Sequence, residues 1–148
     1  FYVLGEFGYA DVAVKMLKNP EFPGWGYMVA NGATSVWERW ESEMSNEMDS
    51  FDHPMFGSYD AFFYAFLGGI TVADDACACD KVYIKPVTAG LDSVDCYYDS
   101  VRGRIKSSWR KSGDKTVYHV EVPYGVTAEF SAGNVNKTLT YGVYDFEA

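Results

Sequence analysis

Basic side chains are scarce in this sequence: 12 lysines and arginines stand against 21 aspartates and glutamates, with only 2 histidines, for a formal net charge of −9. Gripping a phosphate backbone needs clustered cations, so nucleic acid is excluded as a partner. Long apolar runs are missing as well. The longest, Ala61 to Ile70, is too short to cross a bilayer, and no basic leader precedes a signal-type apolar stretch, so no membrane partner is expected. Cysteine is limited to 3 residues. Cys77 and Cys79 are one residue apart, too close for a strain-free mutual disulfide, and lack the further Cys or His that a four-ligand zinc site requires. The expectation is three thiols and no metal. Internal repeats and low-complexity tracts are also absent.

Aromatic side chains are abundant: 12 Tyr, 10 Phe and 4 Trp within 48% apolar content, enough to bury a core. Such rings fill interiors or form platforms for sugar C–H faces. The acidity is uneven. Residues 1 to 71 carry 3 basic and 10 acidic side chains, residues 72 to 148 carry 9 and 11, a first sign of two parts. The chain opens on Phe1 rather than Met, as an excised piece of a longer protein would.

The first part has helical periodicity. Phe1 to Phe7 has the pattern of a helix end, Gly8 breaks it, and Ala10 to Lys18 resumes with Val12, Ala13, Met16 and Leu17 on one face until Asn19-Pro20. Pro20 to Gly32 has loop composition. Thr34 to Trp40 alternates in a short extended segment that sets Val36, Glu38 and Trp40 on one side. Ser58 to Leu67 is the clearest helix, with Tyr59, Phe62, Phe63, Phe66, Leu67 and Ile70 on one face and Gly68-Gly69 ending it. So few helices with so much aromatic surface cannot close a core, and residues 1 to 70 are expected to expose an apolar face.

The period then changes to two. Strands are expected near Lys81 to Lys85, Ser93 to Ser100, Gly103 to Arg110, Lys115 to Val122, Val126 to Phe130, Lys137 to Tyr141 and Tyr144 to Glu147. Ile105, Ser107 and Trp109 share one face, as do Tyr118, Val120 and Val122, and turn signals at Arg102-Gly103 and Ser112-Gly113-Asp114 suit an antiparallel sandwich. Residues 73 to 80 form the expected linker.

Three ordered motifs carry a resemblance. Pro23-Gly24-Trp25-Gly26-Tyr27-Met28, Gly32 to Trp40 (Gly-Ala-Thr-Ser-Val-Trp-Glu-Arg-Trp), and Ser50-Phe51-Asp52-His53 with Phe56-Gly57 resemble the end of the catalytic barrel of glycoside hydrolase family seventy-eight, the bacterial and fungal α-L-rhamnosidases. Tyr83-Ile84-Lys85-Pro86 and Tyr98 to Gly103 resemble that family's carboxy-terminal β-domain. The implied fold is α+β: closing helices of an (α/α)6 barrel over residues 1–72, a linker at 73–80, and an antiparallel β-sandwich over 81–148.

The resemblance implies an inverting hydrolase that releases terminal α-L-rhamnose from glycans or glycosides. Glu38 takes the place of the general base that deprotonates the attacking water, with a partner acid about 6.5–9.5 Å away. Hydrogen-bond donors or a cation must offset its desolvation beside Trp37 and Trp40. His53 takes the place of a histidine lining the sugar pocket, and Trp40 is the candidate stacking platform. The family's Asn before that histidine is Asp52 here, and Pro54 follows it. The general acid belongs to earlier barrel segments, so the chain alone is expected to be inactive and to need the remainder of the parent barrel as partner. No cofactor is demanded. Glu41, Glu43, Glu47 and Asp49 fall in an expected surface loop, His119 on a solvated strand face, and Asn136-Lys137-Thr138 is a chance-level glycosylation match. Rival readings are a non-catalytic carbohydrate-binding or structural β-sandwich module, a hydrolase for another sugar, and a catalytically dead relative.

Overall fold

The computed structural model describes residues 1–41 and 50–148. The expected loop residues Glu43, Glu47 and Asp49 lie outside them. The chain divides into two compact units, Phe1–Phe62 and Phe63–Ala148.

The first unit is built from short helices: α1 (Tyr2–Glu6), α2 (Ala10–Lys18), α3 (Trp25–Ala30), a 3-10 turn (Pro54–Phe56) and α4 (Tyr59–Phe62). Gly8, at φ +82, makes the break between α1 and α2, since that conformation costs glycine nothing. The buried stripe of α2 is Ala10, Ala13 and Val14 rather than the expected Val12 and Met16, which are 38% and 45% exposed. Small side chains at that i, i+3, i+4 spacing let the backbone pack closely, and the longer apolar ones face outward. Tyr2, Val3, Phe7, Tyr9 and Val29 are exposed too. The helix α3 replaces an expected loop. It buries only Met28, so its sequence carries almost no periodic signal, and Gly26 sits where a Cβ would lie 2.4 Å from the Asn19 carbonyl oxygen.

The second unit opens with a π-helical turn (Phe63–Leu67), closed by the Gly68 N–H donating to the Phe63 carbonyl at 2.8 Å. Eight strands follow: β1 (Ile70–Val72), β2 (Lys81–Ile84), β3 (Ser93–Ser100), β4 (Gly103–Ser112), β5 (Lys115–Val122), β6 (Thr127–Ala132), β7 (Val135–Leu139) and β8 (Gly142–Glu147). They form two four-stranded sheets, ordered β1-β2-β6-β7 and β3-β4-β5-β8. Every pair is antiparallel except β2 with β6, which runs parallel.

Alternation explains the core. Val82, Ile84, Ala128 and Phe130 from one sheet meet Ile105, Ser107, Trp109, Tyr118, Val120 and Val122 from the other, all buried. Phe130 lies edge-on to Tyr118 with centroids 5.6 Å apart and stacks on Phe146 at 4.8 Å, which locks the sheets face to face. Fully burying each such large side chain contributes about 1.5–3 kcal/mol. The β4–β5 hairpin turns through Gly113, whose φ of +62 suits a two-residue loop. Cys77, Cys79 and Cys96 form no disulfide among the described residues. Among the described residues, no helix is long and apolar enough to cross a membrane.

Candidate active site

The three singled-out residues, Glu38, His53 and Trp40, all belong to the first unit, on two stretches that run side by side. The Glu38 N–H donates to the Ser50 carbonyl at 3.1 Å and the His53 N–H donates to the Val36 carbonyl at 2.7 Å. The Ser35 hydroxyl adds a bond to the Phe51 carbonyl. Thr34 to Trp40 was expected to be extended, and these bonds hold it beside residues 50–53, but they are too few to make a ladder, and no strand forms. The pairing brings Glu38 and His53 onto neighbouring segments although they are 15 positions apart in sequence.

The Glu38 carboxylate is oriented by the backbone. Its Oε2 accepts the Ser50 N–H at 3.0 Å, so residues 38 and 50 are tied by one main-chain and one side-chain bond. This is a donor of the kind a carboxylate beside tryptophans requires. Glu38 itself is half-buried, while Trp37 is 5% exposed and packs edge-on against Phe51 at 5.3 Å. Alternation thus sends Trp37 inward as an anchor and leaves the Glu38 side chain partly accessible.

His53 caps the 3-10 turn. Its Nδ1 accepts the Met55 N–H at 3.1 Å, and Pro54 occupies the first position of the turn, where a missing N–H costs nothing. A neutral imidazole whose Nδ1 is an acceptor carries its proton on Nε2. The ring therefore offers one outward donor, suited to a hydroxyl oxygen.

Trp40 belongs to an aromatic cluster. It stacks on Phe56 with centroids 4.2 Å apart and planes at 20°, and meets Trp25 edge-on at 4.8 Å. Trp25 in turn touches Phe1, Phe56 and Tyr59, and its indole N–H donates to the Phe56 carbonyl at 2.9 Å. One face of Trp40 is thus covered by Phe56, within an aromatic cluster that braces the segment after Glu38. Ser50 and Phe56 stand within the third sequence motif, but the roles they take, the Ser50 N–H orienting the carboxylate and Phe56 stacking on Trp40, have no local signal, because both act across a long loop closure.

Two family descriptions match the chain in sequence order: the bacterial α-L-rhamnosidase six-hairpin glycosidase domain over residues 1–67 and the bacterial α-L-rhamnosidase carboxy-terminal domain over residues 72–139. Among characterised proteins, α-L-rhamnosidases of Streptomyces avermitilis and Alteromonas sp. (strain LOR) are 34% and 32% identical to it, each over 86% of this chain. The chain spans only 13% and 14% of their lengths. The solved α-L-rhamnosidase of Streptomyces avermitilis in complex with L-rhamnose superposes with a TM-score of 0.86 at 27% identity, covering 99% of this chain and 17% of that one. The α-L-rhamnosidase of Dictyoglumus thermophilum superposes with a TM-score of 0.80 at 33% identity, covering 88% of this chain and 15% of that one. With both domain types present in order and the same relatives found by sequence and by fold, the chain belongs to the bacterial α-L-rhamnosidase family, with parts of its six-hairpin glycosidase domain and its carboxy-terminal domain.

Proposed function

We propose that this chain is the carboxy-terminal piece of an inverting α-L-rhamnosidase and supplies its general base, Glu38. In this reading residues 1–72 are the closing part of the catalytic barrel, 73–80 a linker and 81–148 the β-sandwich domain. The partners are a glycan or glycoside with terminal rhamnose and the remainder of the parent barrel, which brings the general acid.

The observation that carries the reading is the Ser50 N–H bond to the Glu38 carboxylate, inside the stretch that matches the glycosidase domain. A base that deprotonates water must be held in a fixed orientation, and the backbone bond to Oε2 supplies one such restraint. In the mechanism, Glu38 takes a proton from a water on the face of the ring opposite the leaving oxygen as the missing acid protonates that oxygen. His53 Nε2–H donates to a sugar hydroxyl, and Trp40, held by its stack on Phe56, is the candidate platform for the sugar ring.

The test is hydrolysis of p-nitrophenyl α-L-rhamnoside by the full-length parent and by the 148-residue chain, with proton NMR of the first-formed sugar. The parent is expected to release rhamnose of inverted anomeric configuration and the chain alone to release none. Retention of configuration, or turnover by the chain alone, would overturn the two-carboxylate assignment.

A further inference from the structure

Ser50 meets Glu38 twice through its main chain: its carbonyl accepts the Glu38 N–H at 3.1 Å, and its own N–H donates to Glu38 Oε2 at 3.0 Å. The Ser50 side chain takes part in neither bond. Its hydroxyl accepts the Asp52 N–H at 2.9 Å and donates to the Asp52 carbonyl at 2.8 Å, so one oxygen closes residues 50–52 into a tight turn. Both bonds are made to main-chain atoms. They are therefore independent of which side chain stands at position 52, where the related motif has Asn and this chain has Asp.

That turn joins the two polar residues of the site. It begins at the donor to Glu38 and runs into His53, whose N–H donates to the Val36 carbonyl at 2.7 Å, while the Ser35 hydroxyl holds the Phe51 carbonyl between them. Ser50, Phe51 and His53 are each tied across to residues 35–38, and Asp52 is tied through the Ser50 hydroxyl. No strand forms here, so no ladder of regular bonds fixes the peptide planes, and each local tie bears on where the Ser50 N–H points. The aim matters because a misplacement of about 1 Å in a reacting group costs about 100-fold in rate.

We propose that Ser50 is a positioning residue for the reaction: by closing the 50–52 turn, its hydroxyl keeps the Ser50 N–H aimed at Glu38 Oε2 and holds the base in its working orientation. In this role Ser50 acts on Glu38 and not on the substrate. The inference rests on Glu38 being the general base.

The test is a double-mutant cycle in the full-length parent with p-nitrophenyl α-L-rhamnoside: wild type, Ser50→Ala, Glu38→Gln and the two together, with kcat expressed per folded enzyme. Ser50→Ala keeps the N–H and removes the hydroxyl. It is expected to lower kcat about tenfold or more with KM within about twofold of wild type. Ser50→Thr, which keeps a hydroxyl, should restore most of that loss. In the Glu38→Gln background Ser50→Ala should cost nothing further, since a base that is gone cannot be misaimed, whereas a merely structural role would lower kcat by the same factor in both backgrounds. The proposal is overturned if Ser50→Ala turns over like wild type, if its loss repeats in full on Glu38→Gln, or if Ser50→Thr is as slow as Ser50→Ala. Normal turnover by Glu38→Gln would overturn the proposal together with the base assignment, whereas a slow Glu38→Gln beside a normal Ser50→Ala removes only Ser50.

Discussion

The indole N–H of Trp109, in the middle of β4, donates to the carbonyl of Leu67 at 2.8 Å, and both residues are buried. Leu67 ends the π-helical turn, where a carbonyl loses its helical partner. A strand side chain thus satisfies a helix-end acceptor 42 positions away, and the first helical turn of the second unit is bonded to its sandwich core. Trp109→Phe keeps an aromatic ring at the site but removes the donor together with part of the buried indole. It is expected to destabilise the chain by about 1–3 kcal/mol in urea unfolding with the m-value unchanged, and a loss near zero would mean that water replaces the indole.

The two glycines that follow are expected to be intolerant for different reasons. A Cβ at Gly69 would lie 2.2 Å from the Pro86 nitrogen, and its φ of +73 is left-handed, so Gly69→Ala combines backbone strain with a backbone clash. The cost should be about 2–5 kcal/mol. At Gly68 the obstruction is the Cys96 side chain, 2.4 Å from the added carbon to Sγ. Gly68→Ala should therefore be partly rescued by Cys96→Gly, measured as thermal midpoints, whereas Gly69→Ala should gain nothing from it.

His119 should make the sandwich sensitive to alkaline pH. Its Nδ1 lies 2.9 Å from Asp145 Oδ1 and its Nε2 3.1 Å from Glu121 Oε1. The Asp145 carboxylate foremost, then Glu121, holds the imidazolium pKa above its ordinary 6.5. A group whose folded pKa is raised adds stability that is fully present below its unfolded pKa and is lost as pH rises through the folded value. The thermal midpoint should thus decline from about pH 6 upward through that value. His119→Gln should flatten the decline, and an unchanged slope in that variant would assign it to other groups.

At His53 a split between binding and turnover is expected. His53→Asn keeps an acceptor able to cap the Met55 N–H but loses the outward Nε2–H. In the parent enzyme it should raise KM for a rhamnoside several-fold with kcat nearly intact. A fall in kcat with KM unchanged would instead give His53 a part in the chemical step.

How far the fold was legible follows from which interactions are local. Ile105, Ser107 and Trp109 announce a buried strand face by alternation, and the same rule places β3 and β5 at their observed limits, Ser93–Ser100 and Lys115–Val122. The helix α3 has one buried residue and the strand β1 only three residues, too few for a period to emerge. The parallel pairing of β2 with β6 has no local signature, since an alternating strand reads the same in either direction. Glu38 and His53 were found through motif resemblance, not periodicity. The Ser50 N–H that orients the Glu38 carboxylate was beyond reach, because it meets that side chain only through closure of a 12-residue separation.

The most direct measurement is kcat for p-nitrophenyl α-L-rhamnoside in the full-length parent with Glu38→Gln, which keeps the shape of the side chain and its bond to the Ser50 N–H while removing the base. A fall of about two to four orders of magnitude, with KM and the thermal midpoint near wild type, is the predicted result. Turnover close to wild type would contradict the account and remove Glu38 from the mechanism.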